Sequence, residues 1–179
     1  MDAAWHRIRR IRDKPEKYLP RILKGGEVIV DLGCGKGFYC MHLHKYASRL
    51  YCVDVDKKAV KKAEKLLKNR DNVFPIVSDA AKTPMPSSSV DVVFMANSFH
   101  DMSDKNAVYG EILRMLKSDG RVIVIDWKKE QSLLGPPLSI RMSEEDYLKQ
   151  FKEFRLTTRF EPSSSHYGIV LQKDVKPRW

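Results

Sequence analysis

Val28 to Phe38 read Val-Ile-Val-Asp-Leu-Gly-Cys-Gly-Lys-Gly-Phe, an apolar run with an acid in it, followed by glycines at every second position. Val28 to Leu32 fit a strand buried on both faces, the continuous apolar kind found in parallel sheets. Gly33, Gly35 and Gly37 predict a tight turn at its carboxyl end, where residues without Cβ let a ligand lie against the backbone. Phe38 opens a helical pattern, whose free N–H groups would face that space. Strand, glycine turn and helix in this order make a cradle for a nucleotide-like ligand.

The spacing narrows the ligand. The dinucleotide fingerprint places its third glycine one step later, as G-x-G-x-x-G. Here the order is Asp31-x-Gly33-x-Gly35-x-Gly37, with a carboxylate at the lip. Such a group repels a pyrophosphate and favours the amine and sulfonium of S-adenosylmethionine. A second apolar segment, Arg49 to Val53, ends at Asp54, about twenty residues past the first glycine, where a ribose-binding acid belongs in a βαβ unit. Asp56 suits the N-cap of a helix over 57–68, whose Ala59, Val60, Ala63, Leu66 and Leu67 share one face. Asp54 is therefore assigned to the ligand and Asp56 to capping. Asp79 follows a third run, Val73 to Val77, and is placed to accept from an adenine amine.

The remaining pattern continues the alternation of strands and helices. Val90 to Ala96 read as strand four. Ser103 or Asp104 starts a helix with a stripe of Val108, Ile112, Met115 and Leu116, ended by the turn Lys117-Ser-Asp-Gly120. Arg121 to Trp127 are strand five, and Ser143 with Asp146 forms a capping box for a short helix carrying Tyr147, Leu148 and Phe151. Phe154 to Phe160 and Tyr167 to Gln172 alternate like a hairpin. The expected class is α/β, a doubly wound and mostly parallel sheet with one antiparallel strand at its end. Ligands on such sheets bind beyond the carboxyl ends of the strands. That rim would bring His100, Asp101, Trp127, Arg141 and His166 to an acceptor pocket. His100, with Asp101 beside it, is the candidate general base, because imidazole titrates near working pH. His42 and His44 read as structural or solvated.

These segments resemble class I S-adenosylmethionine-dependent methyltransferases of the type 11 group, typified by the ubiquinone and menaquinone biosynthesis enzymes. The likeness is carried by Val30-Asp-Leu-Gly-Cys-Gly-Lys-Gly37, Cys52-Val-Asp-Val-Asp56, Ser78-Asp-Ala80, Met85 to Val93 and Glu111 to Val122. The resemblance implies a seven-stranded sheet in the order 3-2-1-4-5-7-6 with strand 7 antiparallel. It also implies cofactor contact by Asp31, Gly33, Cys34 and Gly35, ribose contact by Asp54, adenine contact by Asp79 with Val55 and Ala80, and Asn97 beneath the cofactor.

A chain of 179 residues suits one domain. We divide it into a basic N-terminal helical or lid segment, 1–24, and a methyltransferase domain, 25–179. No apolar run is long enough for a membrane span. Cys34, Cys40 and Cys52 are expected as small buried thiols of a cytoplasmic protein, with no metal site. The formal charge of +10, concentrated near Arg7, Arg9, Arg10 and Arg12, offers a nucleic-acid reading in which RNA is the methyl acceptor. No Asn/Asp-Pro-Pro-aromatic run follows strand four, which argues against amino groups of bases. The expectation is thus methyl transfer from S-adenosylmethionine to a small-molecule acceptor, with a homodimer as a source of further cover. A Rossmann oxidoreductase and a non-catalytic S-adenosylmethionine binder are the competing classes.

Overall fold

Apolar runs without polar alternation need cover on both faces, and here they form the inner strands of one sheet. The computed structural model describes residues 13–132 and 135–174. Its strands are β1 (Glu27–Leu32), β2 (Ala47–Asp54), β3 (Val73–Val77), β4 (Val90–Ala96), β5 (Leu116–Trp127), β6 (Phe154–Ser163) and β7 (His166–Lys173). They lie in the order β3-β2-β1-β4-β5-β7-β6. The first five pair in parallel, and β7 runs antiparallel to both β5 and β6. The α/β class, strand order and antiparallel β7 match the sequence reading.

Successive side chains of a strand face opposite sides, so the sheet divides the core in two. Ile29, Leu50, Phe94 and Ile123 pack on one side with α1 (Leu19–Ile22), α2 (Cys40–Leu43) and α3 (Lys57–Leu66). Val30, Val53, Val93 and Val124 pack on the other with α4 (Lys105–Met115) and α5 (Glu144–Gln150). The caps are those the sequence specifies: Asp56 accepts from Lys58 N, Asp104 from Ala107 N, and Ser143 with Asp146 closes a capping box.

Several expectations need correction. The helix expected from Phe38 is a single turn beginning at Cys40, because the glycine turn continues through residue 39. α3 ends at Leu66, two residues early, before Asn69 takes a left-handed φ of 70°. Lys117 to Gly120 bulge out of a strand that starts at Leu116, since register jumps from Val90–Leu116 to Val92–Arg121. Cys40 and Cys52 are joined as a disulfide, with Cα atoms 6.6 Å apart, so only Cys34 keeps a free thiol. Residues 13–24, grouped above with a lid, send Tyr18, Leu19, Ile22 and Leu23 into the core, and Tyr18 stacks on Phe160 at 5.0 Å. The arginines at positions 7 to 12, and Trp5, lie outside the described residues. No helix among the described residues is long and apolar enough to cross a membrane.

Candidate active site

The turn after β1 is held by the protein's own groups. Gly33 N and Cys34 N both donate to Val53 O, at 2.8 and 3.0 Å, tying the turn to the end of β2. Gly33 has a φ of 84°, and a Cβ there would collide with Ser98, whose Oγ donates to Leu32 O at 2.8 Å. Gly35, at φ 54°, has open space where a Cβ would stand, and its N–H donates to Asp54 Oδ2 at 2.8 Å. The second Asp54 oxygen accepts from Asp56 N at 2.9 Å. Asp54 therefore fixes the turn while bordering the space above it.

That space is a crevice of about 1390 Å³ along the carboxyl ends of the parallel strands. Asp31 from β1, Asp54 from β2, Asp79 after β3 and Asn97 after β4 line it in the spatial order of their strands. Among the described residues its charged lining is Asp31, Asp54, Asp56, Asp79, Asp101 and Asp104, with Lys36 as the one cation. In a chain of net charge +10 this is a local inversion of sign. Burial first, then the Asp31 and Asp54 charges, pushes the Cys34 thiol well above its ordinary value, so Cys34 is a packing group and not a nucleophile.

Two features hold the walls. Glu111 of α4 accepts from Thr83 N at 2.8 Å, Thr83 Oγ1 at 2.6 Å and Arg114 Nη2 at 2.7 Å, which pins the loop carrying Asp79. The Arg114 hydrogen bond, against an opposing burial cost, brings the Glu111 carboxyl from 4.5 down to about 2. Its folded value is the lower one, so its stabilisation is complete above pH 4.5 and fades as pH falls toward about 2. Glu111→Gln should therefore flatten the acid limb of a pH-dependent urea titration. On the other wall, Lys105 Nζ donates to the carbonyls of His100 and Met102 at 3.0 and 2.9 Å, holding the turn Phe99–Asp101 in place.

Asn97 carries a signal of its own. Its φ is 53°, and among the described residues neither its buried amide nitrogen nor its oxygen finds a partner. A buried amide without partners is costly unless a ligand satisfies it. Asn97→Gly keeps the left-handed backbone. It should weaken S-adenosylhomocysteine binding about tenfold, the worth of one hydrogen bond or a little more, without lowering the melting temperature.

Farther along the rim, His100 is buried and its Nδ1 lies 2.9 and 3.0 Å from the two oxygens of Asp126. Asp126 also accepts from Tyr147 Oη at 2.6 Å and from Trp127 N at 2.8 Å. Sequence reading missed Asp126, although it stands one residue before the end of an apolar strand, much as Asp54 closes β2. The fold brings His100, Asp101 and Trp127 to the crevice, along with Gly33, Cys34, Gly35, Val55 and Ala80. Arg141 and His166 are placed elsewhere. Arg141 donates to the carbonyls of Pro136, Lys128 and Glu130 and to Ser132 Oγ, and lies 5.1 Å over the Trp127 ring. His166 packs on the same ring at 4.2 Å, with Nδ1 against the Ser163 and Ser165 hydroxyls. Both pack on the Trp127 ring and are not among the described residues that line the crevice.

Comparison with known proteins agrees with this geometry. Residues 30–124 match the family model described as a methyltransferase domain, type 11. A demethylmenaquinone methyltransferase of Thermotoga maritima is 34% identical over 102 residues, 56% of this chain and 43% of that protein. A 2-methyl-6-phytyl-1,4-hydroquinone methyltransferase of Synechocystis is 31% identical over 115 residues, 64% of this chain and 36% of that one. The chain thus spans less than half the length of these curated relatives. Among solved structures, a type 11 methyltransferase from Sulfolobus solfataricus superposes with a TM-score of 0.84 at 46% identity, covering 93% of this chain and 96% of its own. A SAM-dependent methyltransferase from Aquifex aeolicus gives 0.86 at 30% identity, covering 93% of each. With its glycine turn, its row of strand-end carboxylates and a family match over residues 30–124, the chain belongs to the S-adenosylmethionine-dependent methyltransferases of type 11.

Proposed function

We propose that this chain transfers a methyl group from S-adenosylmethionine to a small-molecule acceptor bound at the β4–β5 end of the crevice. The observation that carries the reading is the use made of the glycine turn: the Gly35 N–H is given to the carboxylate of Asp54. A cradle for pyrophosphate keeps such donors for the phosphates, whereas this one surrounds its ligand with carboxylates. The residues fit the group well. Asp31 and the Asn97 amide would meet the amino-acid end, Asp54 the ribose hydroxyls, and Asp79 with Val55 and Ala80 the adenine. When bound, S-adenosylmethionine supplies an electrophilic methyl carbon on a sulfonium that departs as a neutral thioether.

The protein's own work is alignment and exclusion of water, and orientation alone can supply several kcal/mol. A volume of about 1390 Å³ exceeds that of an ordinary single-ligand pocket, roughly 300–1,000 Å³, and leaves room for a second small molecule. His100, Asp101 and Trp127 would border that molecule. Relatives named for a hydroquinone and for demethylmenaquinone support an organic acceptor and not a polymer. A second reading draws on α3, whose Lys57, Lys58, Lys61, Lys62 and Lys65 are all exposed beside the crevice and could hold RNA.

Labelled methyl transfer into fractionated cell extract separates the two. The proposal expects label in the small-molecule fraction. Label recovered only in RNA would overturn the acceptor class.

A further inference from the structure

We propose that Asp126, held by Tyr147, is a positioning residue that makes His100 the general base of this site, for an acceptor whose nucleophilic atom arrives carrying a proton. The inference rests on the methyl-transfer reading and adds the chemistry of the acceptor to it.

A wholly buried carboxylate is expensive, and Asp126 is fully buried. Its hydrogen bonds are directed: Tyr147 Oη at 2.6 Å, Trp127 N at 2.8 Å, and His100 Nδ1 at 2.9 Å. An ionised carboxylate only accepts, so Nδ1 carries the ring proton and Nε2 is left with the lone pair. Nε2 lies 3.5 Å from Asp101 Oδ2, too far for a good hydrogen bond, on the residue that lines the crevice. Asp101 is half exposed and offers an outlet to solvent. Asp–His pairs of this kind fix the tautomer and stabilise the imidazolium that forms when the ring takes a proton.

The other charged and titratable groups around the ring and around Asp126 agree. Lys105 of α4 spends its ammonium on two carbonyls, and Tyr167 of β7 donates its hydroxyl to Met142 O. Burial of Tyr147, then the charge of Asp126, keeps its phenol far above the ordinary value, so it stays a donor. Burial opposes a charge on His100, but the Asp126 hydrogen bond and the charges of Asp126 and Asp101 outweigh it and hold the imidazole above 6.5.

In the step itself the proton leaves the acceptor atom for Nε2. The electron pair left behind forms the new bond to the methyl carbon as the carbon–sulfur bond breaks and its pair stays on sulfur, which leaves as the neutral thioether. The imidazolium then releases its proton to water past Asp101. The base suits a phenol-type hydroxyl, whose pKa of about 10 is within reach. An aliphatic alcohol is too weak an acid, and a thioether has no proton to give.

The test is long-range ¹⁵N NMR of His100 in the full chain with S-adenosylhomocysteine bound, titrated from about pH 5 to about pH 9. The wild type should show the Nδ1–H tautomer and a midpoint above 6.5. Asp126→Asn should lower that midpoint by about one unit or more, with S-adenosylhomocysteine affinity unchanged within about twofold. Tyr147→Phe should move the midpoint upward, because the carboxylate, relieved of one donor, holds the imidazolium more strongly. In the extract assay, wild-type transfer should rise with pH through the His100 midpoint, and Asp126→Asn should lose about a hundredfold at neutral pH. An unmoved midpoint in Asp126→Asn, or an Nε2–H tautomer in the wild type, overturns the proposal. If Asp126→Asn does not fold, the wild-type tautomer and the direction of the Tyr147→Phe shift decide. Failure of the wild type to bind S-adenosylhomocysteine would instead count against the methyl-transfer reading, while the tautomer would still report on Asp126.

Discussion

Asp54→Ala should weaken S-adenosylhomocysteine binding by at least about a hundredfold in isothermal titration calorimetry. Two losses combine. The ribose hydroxyls would lose a charged acceptor, each such hydrogen bond contributing about 1.5–3 kcal/mol. The turn would also lose its clamp, since Gly35 N and Asp56 N both donate to this one side chain, at 2.8 and 2.9 Å. The neighbouring control is Asp56→Ala, which removes the cap on Lys58 N and one carboxylate of the crevice lining but none of the bonds that hold the turn. It should cost about 1 kcal/mol of stability and leave affinity nearly unchanged. Equal effects of the two substitutions would mean that position along the rim, not contact with ligand, sets binding.

The largest effect on stability is expected at the opposite end of the sheet. Arg121 Nη1 and Nη2 donate to the two oxygens of Glu27 at 2.7 and 3.0 Å, and Nη2 also reaches Ile22 O at 2.9 Å. Glu27 in turn accepts from Lys24 N at 3.0 Å. Both side chains are more than nine-tenths buried. Arg121→Met leaves the Glu27 carboxylate buried without its cation, and removal of one partner from such a pair costs about 3–5 kcal/mol. Urea denaturation should show that loss as a fall in midpoint with the slope unchanged. Pairing it with Glu27→Met should recover most of the stability, because two apolar side chains leave no orphaned charge. A double variant no better than Arg121→Met would show that the guanidinium acts through Ile22 and not through Glu27.

Much of this was readable from the chain. β3 and β4 fall on the residues expected: Val90 to Ala96 form an inner strand covered on both faces, whereas β3 is an edge strand whose Phe74 and Val77 stay exposed. Asp31, Asp54 and Asp79 reach one crevice because each sits at or just past the carboxyl end of its strand, and parallel pairing aligns those ends. What escaped reading depends on distance in space. Cys40 and Cys52 are 12 residues apart, and only the packing of α2 on β2 brings them together. Arg141 looked available for an acceptor, yet its donors are taken by carbonyls of the segment 128–136, which no pattern announces. Asp126 was passed over as part of strand five, since its partners come from α5 and from the turn after β4. Its position near a strand end, much like that of Asp54, was the available clue.

The central claim is that the carboxylate-lined crevice takes a sulfonium nucleoside bearing an amino group, and its thioether product, and refuses a phosphate-bridged dinucleotide. Calorimetric titration of the purified chain with S-adenosylhomocysteine, and separately with NADH, measures this most directly. The account predicts saturable one-site binding of the first, lost in Asp54→Ala, and none of the second. Binding of NADH, or S-adenosylhomocysteine affinity indifferent to Asp54, would contradict it.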